Sequence, residues 1–302
     1  MRWLTLRNLN QPQCCVATRS AYPHYRDMLI RPLLALSLVL AGTVHAAASD
    51  TGAFNVEYDG YAHGLIALKM SASLNLTPNA YSGRLAYHTA GMIGWMVRNE
   101  SDSTVAGQFK DGQAAPLRFD STGNLRGTNR VTHIVYRDGN PVITQITPPP
   151  GLERTLVAPA DTLHTVDTLS AIAMLVRRVG ATGKCDGTAM AFDGHRLTAL
   201  KAITAGDEIL PPSPKTHFSG KTLRCDFEGN QLAGFIKGQD EAKLRTTRHG
   251  SAWLAPLIQG APPVPVRVTF ENPILGLVTL YLTNATGTPA AVAQIPGVSR
   301  VQ

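Results

Sequence analysis

Residues 185–200 read CDGTAMAFDGHRLTAL, and residues 221–230 read KTLRCDFEGN. In the first stretch, Asp193-Gly194 stands between two runs of strand-forming residues. That dipeptide is the signature of a two-residue hairpin turn, which needs positive φ at its central positions and whose twist matches the flanking strands. A two-residue loop opposes Phe192 to His195, Met190 to Leu197 and Thr188 to Ala199 on the expected core face, with Ala191/Arg196 and Ala189/Thr198 behind them. In the second stretch Leu223, Cys225 and Phe227 share one side and Arg224, Asp226 and Glu228 the other, and Glu228-Gly229-Asn230 reads as the next turn. The reading is an antiparallel sheet stapled in its middle by a Cys185–Cys225 disulfide.

The other two of the four cysteines, Cys14 and Cys15, fall in a segment expected to be removed. Residues 1–46 read as an N-terminal extension and signal peptide. Met28 and Arg31 form the positive end, Leu33 to Ala41 the apolar run, and Val44-His45-Ala46 the cleavage motif. Residues 1–27 read either as a long basic leader or as sequence upstream of a start at Met28. The apolar run is too short to span a bilayer, so no stable transmembrane segment is expected after cleavage near Ala46. Thr43 occupies the place where a lipoprotein signal needs its cysteine, which argues against a lipid anchor. Export to the periplasm is the expected localisation, and an oxidising compartment lets a disulfide persist. Neither Cys185 nor Cys225 has a second cysteine nearby, which excludes a CxxC redox or metal pair.

The chain carries 28 Lys and Arg against 21 Asp and Glu. Five of those arginines and one aspartate precede residue 47, leaving 23 against 20. So small and scattered an excess is no nucleic-acid footprint, which shows as a basic face or stripe. Arg118, Arg126, Arg130 and Arg137 have two readings, a cluster that attracts an anionic glycan or lipid head group and a solvated sheet face, and the second is preferred.

Residues 47–286 are expected to form a single β-rich domain, followed by a loose C-terminal tail over 287–302, with the chain loosening past Asn284. Phe54 to Tyr58 alternates. Ile66, Leu68, Met70, Ala72, Leu74 and Leu76 then line one strand face and Lys69, Ser71, Ser73 and Asn75 the other, the pattern of a strand buried on one side and wet on the other. Tyr81 to Thr89 returns beside it with Leu85 and Tyr87 inward, and Asp102 to Lys110, Pro116 to Phe119 and Arg130 to Tyr136 continue the meander. Pro148-Pro149-Pro150 opens an extended surface connection. One helix is expected from Thr168 to Val179. Asp167 caps it, Leu169, Ile172, Ala173, Val176 and Val179 form its apolar stripe, and Gly180 stops it. Met190, Leu197, Leu223 and Phe227 are expected to share a core with that helix. Gly91-Met92-Ile93-Gly94-Trp95-Met96-Val97 is apolar all round and has two readings: a short helix plugging one end of the sheet, or a methionine-rich lip of a binding groove.

No catalytic constellation emerges. There is no nucleophile elbow, and His195 beside Asp193 is explained by the turn. His63, His88, His133, His164, His195, His217 and His249 show no metal-ligand spacing, so neither a metal nor any other cofactor is expected.

Four motifs carry a resemblance: Phe54-x-Val56-x-Tyr58, Asp167-x-Leu169-Ser170, Phe192-Asp193-Gly194-x-Arg196, and Gly276-x-Val278-x-Leu280-x-Leu282. In order and spacing the chain resembles the bacterial family called domain of unknown function 3108 (DUF3108) over residues 53–284, with Thr168 where the family often has proline. The resemblance implies an exported protein with the open β-barrel architecture of lipoprotein carriers, and it supplies no catalytic residues. The fold expected is mainly β: an antiparallel, strongly curved sheet or open barrel with one helix packed on it. The expected function is that of a non-catalytic binding protein of the cell envelope receiving a lipid-like or other hydrophobic ligand. Met92, Ile93, Trp95 and Met96 are expected at or near the mouth. The alternative is a filled barrel acting as a scaffold for an envelope protein partner. An envelope enzyme acting on glycan or lipid would need an acid-base pair that the sequence does not signal.

Overall fold

The computed structural model describes residues 49–289; the signal reading of residues 1–46 and the tail from residue 290 lie outside them. Thirteen strands in that range form one antiparallel sheet. The first seven are β1 (Gly52–Ala62), β2 (Leu65–Leu76), β3 (Ala80–Thr89), β4 (Asn99–Lys110), β5 (Gln113–Leu125), β6 (Thr128–Arg137) and β7 (Asn140–Thr147). The last six are β8 (Gly187–Phe192), β9 (Leu197–Leu210), β10 (Gly220–Ala233), β11 (Arg248–Ala255), β12 (Val264–Asn272) and β13 (Gly276–Thr288). Each group is a meander, and β1 pairs with β13, so β7 and β8 become the two edges of the sheet.

Those edges do not pair, yet the two ends of the sheet share a core. Phe119 of β5 and Ile134 of β6 pack with Phe192 of β8 and Leu197 of β9. The sheet therefore curls until its ends meet through side chains rather than hydrogen bonds, which makes it an open β-barrel. The connection from β7 to β8 runs along the gap. Val166 donates its N–H to the Met190 carbonyl at 3.0 Å and accepts from the Phe192 N–H at 2.8 Å, so part of the β8 edge is covered.

The alternation read in β2 holds where it builds the core. Tyr58 stands opposite Met70, Val56 opposite Ala72 and Phe54 opposite Leu74, and these inward rows belong to the main core with Leu76, Val264, Val278 and Leu280. Lys69, Ser71 and Asn75 point away from the core. Three turns and ends differ from the sequence reading. The β8–β9 loop has four residues, so Phe192 pairs with Leu197 and Met190 with Ala199. The cause is the Asp193 carboxylate: Oδ1 accepts from the His195 N–H at 3.0 Å and the Arg196 N–H at 2.7 Å, and Oδ2 accepts from Arg196 Nε at 2.7 Å. A loop held by its own aspartate does not need the two-residue turn. Glu228-Gly229-Asn230 is no turn but continues β10, paired with Lys201, Leu200 and Ala199. Past Asn284 the chain stays in β13, with Gly287 opposite Phe54.

Cys185 and Cys225 are disulfide-bonded with Cα atoms 5.9 Å apart. Both are buried, with Leu223, Phe227, Ala252 and Leu254 around them. The shared core expected for Met190, Leu197, Leu223 and Phe227 is instead divided. Leu197 belongs to the cluster that joins the two sheet ends, Leu223 and Phe227 surround the disulfide, and Met190 is exposed.

Candidate ligand-binding cavity

Helix α1 is the segment Gly91–Met96, and α2 runs from Thr168 to Thr182 against the inner face of the sheet, touching β2 to β5 and β8. Its start is fixed by a buried polar chain. Asp167 Oδ1 accepts from the Ser170 N–H at 2.8 Å, Ser170 Oγ donates to Asp167 Oδ2 at 2.6 Å, and the Tyr81 hydroxyl donates to Ser170 Oγ at 2.7 Å. The first bond is the N-cap expected from the sequence. Gly107 allows the third, because a Cβ there would collide with the Tyr81 ring. Burial raises the Asp167 carboxyl above the usual carboxylate range, against the lowering by its Ser170 bonds. Burial likewise raises the phenols of Tyr81 and Tyr136, and the Tyr136 hydroxyl is buried without a hydrogen-bond partner.

The helix continues past the expected stop. Gly180 lies inside it, where the Ser49 carbonyl packs in the space of an absent Cβ. Gly183, at φ 65°, ends the helix in the left-handed region and donates its N–H to the Val179 carbonyl. Ala173, Val176 and Val179 are buried as read from the stripe, but Ile172 is 41% exposed.

That exposure marks a cavity of 420 Å³ between α2 and the sheet. Ile172, Leu169 and Leu175 line it from the helix, and Val56, Met70, Ala72, Leu85 and Val105 line it from β1 to β4. Phe227, Leu254, Val268 and Phe270 line it from the other half of the sheet. An isoleucine that lines the space and is still reached by solvent means that the cavity is open. Its wall is almost wholly apolar, and the one hydroxyl from β1, that of Tyr58, is engaged with the Pro265 carbonyl at 2.7 Å. Water in such a space finds few partners, whereas an apolar chain gains the burial of its surface.

A second depression, of 740 Å³, lies over β1 to β5 and is lined by Glu57, Asp59, Lys69, His88, Glu100 and Asp102. It is the larger of the two, but several of its charges are already paired. Lys69 Nζ is 3.3 Å from Asp59, and Arg84 Nε donates to Asp102 Oδ1 at 2.9 Å. The groove is polar and solvated, and the apolar cavity is the stronger candidate for holding a ligand. Among the described residues no group of three His, Cys, Asp or Glu side chains is placed to hold a metal ion.

The four residues expected at the mouth lie together in α1, but none lines the cavity. Ile93 packs on the main core, while Met92, Trp95 and Met96 point into solvent. The sequence reading did not assemble this lining, because it is spread over eleven elements. The available signals were the long apolar face of β2, from Met70 to Leu74, and the stripe of Leu169, Ile172 and Val176 on the helix.

No family model matches the chain, so the resemblance to domain of unknown function 3108 rests on the four motifs alone. No curated protein matches it either. Among solved structures the chain is similar in fold to a β-barrel-like protein of domain of unknown function DUF1849 from Brucella abortus. The identity is 13% and the TM-score 0.47, over 80% of this chain and 99% of that one.

Proposed function

We propose that this is an exported, non-catalytic binding protein of the bacterial cell envelope, of the kind grouped in domain of unknown function 3108, and that it holds a hydrophobic ligand in the cavity between α2 and the sheet. The observation that carries the reading is the pairing of an apolar wall with an open side: Ile172 lines the 420 Å³ space and is 41% exposed. A filled barrel would bury that side chain. Cavities of this size and lining hold small ligands or a segment of an acyl chain. The buried disulfide and the absence, among the described residues, of a helix long and apolar enough to cross a membrane are compatible with export. Protein isolated from the native envelope under mild conditions and opened in the mass spectrometer should release an apolar molecule in near-stoichiometric amount. Release of nothing but buffer components, from protein that also takes up no added lipid, would leave the scaffold reading in its place.

A further inference from the structure

The connections at one rim of the barrel expose more large apolar side chains than a soluble surface ordinarily carries. Trp95 is 88% exposed, Met96 73% and Ile274 79%, and Leu65, Met92 and Leu277 are each more than half exposed. They come from three connections that touch in sequence around the rim. Ala62 of β1 pairs with Val278 of β13, which sets the β1–β2 turn beside the β12–β13 turn, and His63 packs near Gly276. The Ala90 N–H donates to the Ala67 carbonyl at 2.9 Å, which ties the start of α1 to β2. The Arg126 N–H donates to the Arg98 carbonyl at 3.0 Å, which adds the β5–β6 turn to the series.

The charge of these four connections is of one sign, and the acidic residues Asp240 and Glu241 of this side of the sheet lie apart, in the β10–β11 connection. Residues 62–66, 90–98, 125–128 and 272–277 contain Arg98 and Arg126 and not one Asp or Glu. The first carboxylates, Glu100 and Glu271, lie in the strands, and Glu100 stands 3.9 Å from Arg98 in an exposed pair weak enough for a phosphate to replace. An exposed apolar patch marks an interaction surface. One that joins a tryptophan, methionines and leucines to flanking, solvent-exposed arginines has the composition that settles into the headgroup boundary of a bilayer, the ring at the interface and the guanidinium groups on lipid phosphates.

We propose that this rim, centred on α1, docks the protein on the surface of an anionic phospholipid bilayer. The side chains of Met92, Trp95 and Met96 enter the interface, and Arg98 and Arg126 meet the phosphate groups. The docking is peripheral and is independent of the cavity, so a protein with an empty or filled cavity docks in the same way.

Protein recovered from cells expressing the full chain is sedimented with phosphatidylglycerol vesicles, and tryptophan emission is recorded alongside. The expected result is saturable binding with a blue shift that Trp95→Phe abolishes while leaving the fold intact. Trp95→Ser/Met96→Ser and Arg98→Gln/Arg126→Gln should each weaken binding at least about tenfold, and phosphatidylcholine vesicles or raised salt should weaken it as well. Equal binding by wild type and both double variants would overturn the proposal and assign membrane affinity to another segment. So would a concentration-dependent dimer without vesicle binding that Trp95→Ser/Met96→Ser dissolves, since the rim would then be a self-association surface.

Discussion

The Tyr81 hydroxyl donates to Ser170 Oγ at 2.7 Å across 89 residues of sequence, and both side chains are buried. This bond joins β3 to the first turn of α2, and with the Asp167 cap it fixes the angle at which the helix enters the barrel. The helix anchored in this way forms one wall of the cavity.

Tyr81→Phe removes one donor and leaves the Ser170–Asp167 bond, so it should lower the unfolding free energy by about 1 kcal/mol. Ser170→Ala strands both the phenol and a carboxylate oxygen in the interior and should cost about 2 to 4 kcal/mol. Urea denaturation of the two variants and their double mutant separates the pair; additive losses would show that the hydroxyls are not coupled.

The raised Asp167 carboxyl makes a pH prediction. The folded state holds this proton more tightly than the unfolded chain, so the group's contribution is fully present below about pH 3.9, its unfolded value, and is lost as pH rises through the folded one. Asp167→Asn keeps a cap but does not titrate. The stability advantage of wild type over this variant should therefore shrink as pH is raised from about 4 towards neutrality. Denaturation curves at several pH values test it, and a constant difference would mean that Asp167 titrates normally.

Opening the disulfide removes a closure of 40 residues between Cys185 and Cys225. Replacing both with alanine should lower stability by about 4 kcal/mol in the chain-entropy model. Thermal unfolding under non-reducing conditions is the check, and a loss below about 1 kcal/mol would show that the core around Leu223 and Leu254 holds without the staple.

Two positions on one face of α2 should respond differently to truncation. Val176 is buried against the main core, and Val176→Ala should cost about 2 kcal/mol. Ile172 already meets solvent, so Ile172→Ala should cost less than about 1 kcal/mol. Equal losses would mean that the cavity is closed and Ile172 packed.

Local patterns carried much of this fold. The period-two face from Met70 to Leu76 and the aspartate before the helix each record a short-range constraint, and the cysteine pair, though 40 residues apart, was legible because no other cysteine competes for it after residue 46. What failed was set by partners distant in sequence. Met190 and Ile172 lie on apolar stripes, but a stripe does not say whether it meets a core, a lumen or solvent. Asp193-Gly194 pointed to the hairpin and missed its register, because the loop is set by bonds from the Asp193 carboxylate that the dipeptide does not specify. The cavity wall was illegible for the same reason: Val56, Phe227 and Val268 become neighbours only when β13 closes on β1.

The most direct test of the binding reading is titration of a fluorescent fatty-acyl probe into wild type and Ile172→Trp. The larger side chain should occupy the cavity, and because Ile172 is partly exposed the core should tolerate it. The account predicts saturable uptake of one probe by wild type and at least about a tenfold loss in the variant at unchanged stability, since an apolar chain bound in a filled cavity has nowhere to bury its surface. No uptake by wild type, or equal uptake by both proteins, would contradict it.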